Sequence, residues 1–295
     1  MSSFYFENAK TIKPTKLADI EPGGQDGAIW GGFLFRFGPS GSCVIYRMSD
    51  YKKVSRLTLE KVDLLKPHSN AVFFGTEYYE EGDEFPLFYT NIYNTYDKAE
   101  DKKEGICCVY RITRDGLVFS SELVQVIRVG FAKGSEYWYS EDRRDIRPYG
   151  NFVLDKKSNT LCVYVLRDKE RKMRIFKFKM PGFASGELNA EWGARELVLS
   201  VEDIISYFDV DYCDFIQGAV CYDGLLYSVE GGTYVTPGSV FPPKFRIYDL
   251  EKEEQIFYFE LKDCGLFAEP ELLDVYEGKM YYSGNQGNLY TLQFE

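Results

Sequence analysis

The stretch from Ile216 to Ser228 reads IQGAVCYDGLLYS, and a second stretch from Pro270 to Ser283 reads PELLDVYEGKMYYS. In both, an apolar run is followed by Asp-Gly or Glu-Gly and then by a second apolar run that ends in Tyr-Ser. A two-residue segment of this kind suits the left-handed backbone of a tight hairpin turn. Each stretch therefore predicts two antiparallel strands joined by a short turn.

The hairpin pattern occurs three more times. Residues 147–155 lead through a longer turn to TLCVYVL, residues 68–74 lead to FPLFYTNIYN, and residues 25–30 lead to GFLFRFG. Further strand-like segments follow each hairpin, such as RIFKFKM and RELVLS after the third. Only NLYTLQF follows the last hairpin, so that unit lacks a fourth strand, and residues 3–16 form a spare strand at the other terminus.

Four-stranded units, the last completed by the opposite terminus, are typical of β-propellers. We therefore predict an all-β fold with a single domain over residues 1–295, a propeller of four-stranded antiparallel blades closed by the N-terminal strand. Five hairpins indicate five blades, with six as the alternative count. A pair of β-sandwiches would explain the strands but not the recurring hairpin. Helical periodicity is confined to residues 59–65 and 201–208.

The composition agrees with a sheet protein and excludes several classes of partner. The chain has 24 Tyr and 23 Phe, and aromatic side chains favour strands. A net charge of −11 argues against nucleic acid. No secretory signal and no apolar run of about 20 residues is present, so we expect a soluble, cytoplasmic protein without a membrane partner. Seven Cys without a CxxC pair indicate buried thiols, and we expect neither metal nor cofactor.

Residues that open the innermost strands of a propeller meet at one mouth of its central channel. Such positions, or the segment 136–145 before the third hairpin, hold the predicted ligand-binding residues: Gln25, Asp26, His68, Asn70, Trp138, Arg147, Tyr149, Gln217 and Glu271. A few convergent polar groups in a concavity predict a funnel for a carbohydrate or another polar metabolite. The structural alternative is that these side chains tie the blades together.

Three residues of this mouth are candidates for proton transfer. His68 is the only histidine, and imidazole titrates near neutrality. Glu269 and Glu271 flank Pro270, and two carboxyl groups act as acid and base where their environments differ. An enzyme, namely a lyase, hydrolase or cyclotransferase, is therefore an alternative to a binding protein. An interaction scaffold without pocket chemistry is the third class, and the oligomeric state stays open.

The segment around Gln217 also resembles a known family. Phe-Ile-Gln-Gly at 215–218, then Asp-Gly-Leu-Leu-Tyr-Ser at 223–228 and Gly-Gly at 231–232, is similar to a motif of five-bladed glutamine cyclotransferases. That motif reads Phe-Thr-Gln-Gly, followed by Gly-x-Leu-Tyr-Glu-Ser, and Ile216 stands where the family prefers Thr. The resemblance covers about 20 residues and implies a five-bladed propeller with cyclotransferase-like chemistry in its funnel.

Overall fold

The hairpins of the repeat form the centre of the molecule. The computed structural model describes residue 4 and residues 9–92, 105–129, 151–167, 172–211, 216–236 and 241–295. In chain order its strands are β1 (Ile12–Asp19), β2 (Gly27–Trp30), β3 (Phe33–Phe37), β4 (Ser42–Arg47), β5 (Lys52–Thr58), β6 (Val72–Phe74), β7 (Phe88–Ile92), β8 (Ile106–Asp115), β9 (Val118–Val129), β10 (Asn151–Asp155), β11 (Thr160–Arg167), β12 (Lys172–Lys179), β13 (Glu187–Asn189), β14 (Ala194–Leu199), β15 (Ile204–Asp211), β16 (Ile216–Tyr222), β17 (Leu225–Glu230), β18 (Lys244–Asp249), β19 (Glu254–Glu260), β20 (Pro270–Tyr276), β21 (Lys279–Gly284) and β22 (Asn288–Phe294).

Helical segments are short. One turn of α-helix, α1, spans Val62–Leu65 inside the predicted segment 59–65, and 3-10 turns span Val201–Asp203 and Leu261–Cys264. Within the described ranges no helix is long and apolar enough to cross a membrane.

The sheets are the five blades of a propeller, as predicted. Blade 1 is β2–β5, blade 2 is β6–β9, blade 3 is β10–β12 with β15, blade 4 is β16–β19, and blade 5 is β20–β22 with β1. The innermost strands are β2, β6, β10, β16 and β20, and each contacts the next around a closed ring. The residues that begin these strands therefore lie at one mouth of the central channel, and the residues that end them lie at the other.

The turns explain why the repeat was visible in the sequence. Asp223 and Gly224 have φ angles of 52° and 81°, and Glu277 and Gly278 have φ angles of 47° and 70°. Both central residues of each turn are thus left-handed, as a type I′ hairpin turn requires. Tyr222 pairs with Leu225 directly across the first of these turns, which sets the register of β16 and β17.

The N-terminal strand closes the ring, as predicted, but at a later position. β1 pairs antiparallel with β22, from Ile12 opposite Phe294 to Asp19 opposite Asn288. Within the described residues the strand covers 12–19 and shares residues 12–16 with the predicted segment 3–16, of which residues 3 and 5–8 lie outside the described residues. Ile12 is buried and packs in the core, while Lys13 and Lys16 face solvent. A proline and lysines on this outer strand are typical of a protected sheet edge.

Two predictions about blade 3 were wrong. Residues 201–208 are not a helix: a 3-10 turn leads into β15, the outer strand of this blade, whose side chains alternate between the two faces. The RELVLS segment forms β14, which pairs in parallel with β9 of blade 2 and extends that sheet to six strands together with β13. Parallel pairing follows from the path of the connection between blades and leaves no local sequence signal.

Aromatic side chains fill the space between the blades. Between blades 1 and 2, the ring of Phe35 makes edge-to-face contacts with Phe74, Phe85 and Phe119 at centroid distances of 5.2, 5.5 and 5.6 Å. Such pairs contribute about 0.5–1.5 kcal/mol each beyond area burial. Cys107 and Cys108 pack in different clusters on opposite faces of β8, so both thiols are buried and free.

Candidate functional site

Asp26 lies at the channel mouth where the innermost strands begin, and it is fully buried. Its Oδ2 accepts a hydrogen bond from the backbone N–H of Val72 at 3.0 Å, and its Oδ1 accepts one from Leu273 at 3.2 Å. Burial raises the pKa of this carboxyl group well above its ordinary range, and the N–H donors oppose that shift. One side chain therefore connects blades 1, 2 and 5.

A buried amide network connects the other blades. The side-chain amide of Asn91 donates to the Oδ1 atoms of Asn70 and Asn151, the latter at 3.1 Å. Asn70 donates to the carbonyl of Ile216 at 3.1 Å, and Asn151 donates to the carbonyl of Gln217 at 3.2 Å. Blades 2, 3 and 4 are thus held together by side-chain amides at the axis.

Gly218 marks the closest approach of two innermost strands. A Cβ atom at this position would lie 2.5 Å from the carbonyl oxygen of Glu271 and 2.8 Å from the backbone nitrogen of Leu273. Real Cβ atoms essentially never approach backbone atoms this closely. The glycine of the Gln217-Gly218 pair is therefore required for β16 to lie against β20, which is a structural reason for that part of the motif.

Two glutamates of blade 5 are held by amides from three blades. Gln25 donates from Nε2 to Glu271 Oε1 at 3.4 Å, and Gln217 donates from Nε2 to Glu269 Oε1 at 2.9 Å. Asn285 donates from Nδ2 to the other oxygen of Glu269 at 3.2 Å. Gln25 and Glu269 are half-buried, so the cluster lies between the buried network and the channel mouth.

Glu271 and Arg36 are both deeply buried at this mouth, each with a relative exposure of 2%. Arg36 donates from Nη2 to the carbonyls of Gly24 and Gly284, but among the described residues its Nε and Nη1 have no hydrogen-bond partner, and neither has Glu271 Oε2. Burial raises the pKa of Glu271 well above its usual range, while the charge of Arg36 opposes this. The mouth therefore contains donors and an acceptor with unused hydrogen-bonding capacity.

The environments of Glu269 and Glu271 differ. Glu269 is half-buried, and both of its oxygens accept hydrogen bonds from amides. Burial raises its pKa, and the hydrogen bond from Asn285 opposes the shift. Glu271 is almost fully buried, and one of its oxygens has no hydrogen-bond partner within the described ranges. Glu271 therefore loses more solvent than Glu269, and this loss favours its neutral form more strongly.

The remaining predicted residues fall into two groups. His68 is half-buried, and loss of solvent lowers its pKa, so the imidazole is neutral near pH 7. The next residue, Ser69, accepts a hydrogen bond from the backbone N–H of Asp26, which places this segment at the same mouth. Trp138, Arg147 and Tyr149 lie outside the described residues. Among the residues that are described, no group of three or more His, Cys, Asp and Glu side chains is placed to hold a metal ion.

Four polar residues of this mouth were not predicted from the sequence: Arg36, Asn91, Asn151 and Asn285. Asn151 had a signal, because it stands directly before the apolar run FVLD, as Asn70 stands before the apolar start of β6. Arg36 and Asn91 lie in the second strands of their blades, and Asn285 lies in a loop. The repeat in the sequence does not predict that residues at these positions lie near the channel axis.

No family model matches the chain, and no curated protein matches it. Among solved structures, the glutaminyl cyclase of Myxococcus xanthus is similar over 96% of this chain and 97% of its own, with 10% identity and a TM-score of 0.51. Sqt1 of Saccharomyces cerevisiae is similar over 89% of this chain and 55% of its own, with 9% identity and a TM-score of 0.36. The computationally designed protein Ika8 is similar over 95% of this chain and 98% of its own, with 7% identity and a TM-score of 0.36. The likeness to the cyclase shows a shared fold.

Proposed function

We propose that this propeller binds a small polar molecule, a carbohydrate or another polar metabolite, at the channel mouth where its innermost strands begin. The observation that carries the proposal is the buried carboxyl of Glu271, whose Oε2 has no hydrogen-bond partner in the part of the chain that the structure describes. Buried polar atoms in native proteins are nearly always hydrogen bonded, so an unused acceptor at a channel mouth is a place for a ligand donor.

The neighbouring side chains define which ligand groups fit. Glu269 and Glu271 accept hydrogen bonds, and the amide oxygens of Gln25 and Gln217 accept them as well. Hydroxyl and amino groups, which donate, are therefore the complementary groups on a ligand. Arg36 lies beneath and supplies donors for a ligand oxygen. Sugars and amino-bearing metabolites combine both kinds of group.

The predicted site residues take different roles in this proposal. Asp26 and Asn70 use their side chains to join blades, so they position the mouth rather than contact the ligand. Gln25, Gln217, Glu269 and Glu271 are the proposed contacts. His68, whose neighbour Ser69 accepts a hydrogen bond from the backbone N–H of Asp26, is a further proposed contact. Trp138, Arg147 and Tyr149 stay predicted contacts from the sequence.

Acid–base catalysis at the same mouth is the second candidate function. The observation in its favour is the difference in environment between Glu269 and Glu271, because two carboxyl groups with separated pKa values divide the roles of acid and base. A cyclotransferase, lyase or hydrolase reaction can use such a pair. The similar structure from Myxococcus xanthus is a glutaminyl cyclase, so peptides that begin with glutamine are the first substrates to test.

The test is a thermal-shift screen with sugars, polar metabolites and peptides that begin with glutamine. It is carried out on three proteins: the wild type, Glu271→Gln and Glu81→Gln. Glu81 is an exposed carboxylate on a loop and serves as the matched control. A ligand of the proposed site should raise the melting temperature of the wild type and the control and bind Glu271→Gln about tenfold more weakly. Equal binding to Glu271→Gln would place the ligand elsewhere.

Activity assays on the same proteins show whether the site only binds its ligand or also catalyses a reaction. Release of ammonia from peptides that begin with glutamine, or consumption of any other compound that shifts the melting temperature, would indicate turnover. Turnover through the two glutamates should fall about 10²- to 10⁴-fold in Glu269→Gln and change its dependence on pH. Binding without turnover would exclude the catalytic candidate for that compound and leave the binding proposal intact.

A further inference from the structure

The other mouth of the channel, where the innermost strands end, contains a cavity of about 470 Å³. All five innermost strands contribute to its wall, through residues such as Ile29, Val72, Val153, Ala219 and Val275. A volume of this size and a mainly apolar wall are typical of sites for small molecules. The cavity lies at the opposite end of the strands from the Glu269 and Glu271 cluster, so it is a separate site.

Three charged residues interrupt the apolar wall: Lys156, Asp274 and Glu277, of which Glu277 is exposed in the turn that follows β20. Lys156 directly follows β10, and its ammonium nitrogen lies 5.3 Å from the centre of the Trp30 ring. Asp274, in β20, accepts hydrogen bonds from the backbone N–H of Ile29 at 2.6 Å and of Val275 at 2.8 Å. These bonds fix the carboxyl group while each oxygen keeps a second lone pair for another donor.

The two charges influence each other across the cavity. Loss of solvent raises the pKa of Asp274 to about 6, and the positive charge of Lys156 opposes that shift. Loss of solvent also lowers the pKa of Lys156, which the negative charge of Asp274 opposes. Both groups are thus less well solvated than in water, and a ligand group of opposite charge would stabilise each of them.

We infer that this cavity binds a small zwitterion with an apolar body, such as a hydrophobic α-amino acid. The ligand ammonium group pairs with Asp274 and the ligand carboxylate pairs with Lys156. The ring of Trp30 and the aliphatic wall contact the apolar side chain. The charges of the site match a zwitterion. A purely cationic ligand would pair with Asp274 but be repelled by Lys156, and a purely anionic ligand would pair with Lys156 but be repelled by Asp274.

The test is isothermal titration calorimetry of the full chain with three compounds that share one apolar body. Phenylalanine carries both charges, phenethylamine lacks the carboxylate, and 3-phenylpropionate lacks the amine. Phenylalanine should bind at least about tenfold more tightly than either single-charge compound. Equal binding of the three, or no heat from phenylalanine up to about 10 mM, would overturn the inference.

Charge-removing variants assign the two contacts. Lys156→Met should weaken phenylalanine about tenfold without weakening phenethylamine, whereas Asp274→Asn should weaken phenylalanine and phenethylamine but not 3-phenylpropionate. Lys157→Met is the matched control, because that neighbouring lysine pairs with Asp223 at 2.8 Å. Lys156 keeps an exposed surface at the rim of the cavity although its ammonium group loses part of its hydration, so its variant should fold even if Asp274→Asn does not. Unchanged phenylalanine binding in Lys156→Met would overturn the inference.

Glu271→Gln distinguishes this site from the one at the opposite mouth. Phenylalanine should bind this variant as it binds the wild type, since Glu271 is not in the wall of the cavity. A loss of phenylalanine binding in Glu271→Gln together with normal binding in Lys156→Met would show that the amino acid occupies the other mouth and would contradict the inference.

Discussion

Asp26 accepts a hydrogen bond at 3.2 Å from the backbone N–H of Leu273, which lies 247 positions further along the chain. Because the same carboxyl group also accepts one from Val72, a single side chain holds three innermost strands at the axis. The residue is fully buried, so its carboxyl group supplies acceptors where bulk water does not reach. The contacts of the ring thus depend on a few polar atoms as well as on the apolar core.

Asp26→Ala should destabilise the protein strongly. The substitution leaves the N–H groups of Val72 and Leu273 buried without an acceptor, and each unsatisfied group costs roughly 1–3 kcal/mol. We expect the free energy of unfolding in urea to fall by about 2–6 kcal/mol. Asp50→Ala, which removes an exposed carboxylate paired with Arg47, is the control and should keep the urea midpoint. Similar midpoints for the two variants would contradict the role of Asp26.

Deleting residues 1–19 should leave the ring open. The deletion removes β1 and exposes the edge of β22 along its pairing from Asn288 to Phe294. An unpaired, partly apolar edge favours association between chains. We expect aggregated material in size-exclusion chromatography and a lower melting temperature. A deletion of residues 1–8 keeps β1 and is the control. A monomer of Δ1–19 that melts with this control would refute closure by β1.

Asp274 should make stability decrease as the pH rises. Its folded-state pKa is about 6 against an ordinary value of 3.8, so the folded protein binds more protons than the unfolded chain between these values. The free energy of unfolding of the wild type should therefore fall between pH 4 and pH 7, by at most about 3 kcal/mol from this group. Asp274→Asn removes this contribution, so its stability relative to the wild type should increase over the same range.

Urea denaturation at pH 4, 5, 6 and 7 measures this difference. Asp223→Asn is the control, because the hydrogen bond from Lys157 lowers the pKa of Asp223 below its ordinary value of 3.8. That carboxyl group is ionised in both the folded and the unfolded chain above about pH 5, so the stability difference between this variant and the wild type should stay nearly constant from pH 5 to pH 7. A difference between Asp274→Asn and the wild type that does not depend on pH would show that Asp274 titrates normally.

The blade pattern was predictable because its signal is local. The Asp223-Gly224 and Glu277-Gly278 pairs specify turns, and the apolar runs on either side specify strands. β15 was missed because its outward face carries Ile205 and Tyr207, with exposures of 60% and 40%. Apolar residues on both faces hide the alternation of a strand and imitate the spacing of a helix.

The site was predictable only as far as it follows the repeat. Gln25, Gln217 and Glu271 stand at the start of innermost strands, and the hydrogen bonds place them together. Arg36 lies in β3, where an arginine between two phenylalanines suggests a solvent-facing position, yet its exposure is 2%. Its direction depends on how blade 1 packs against blade 5, which is a tertiary property.

The pairing of β1 with β22 also sets an order of events during synthesis. Ile12 is translated long before Phe294, its partner in the register. At roughly 5–20 residues per second, the first strand stays without its partner for tens of seconds. A strand with Lys13, Lys16 and a proline tolerates that interval, because charge and the missing N–H of proline discourage pairing with other nascent chains. The last blade is therefore the last to mature, and nascent chains should become resistant to protease only when translation reaches β22.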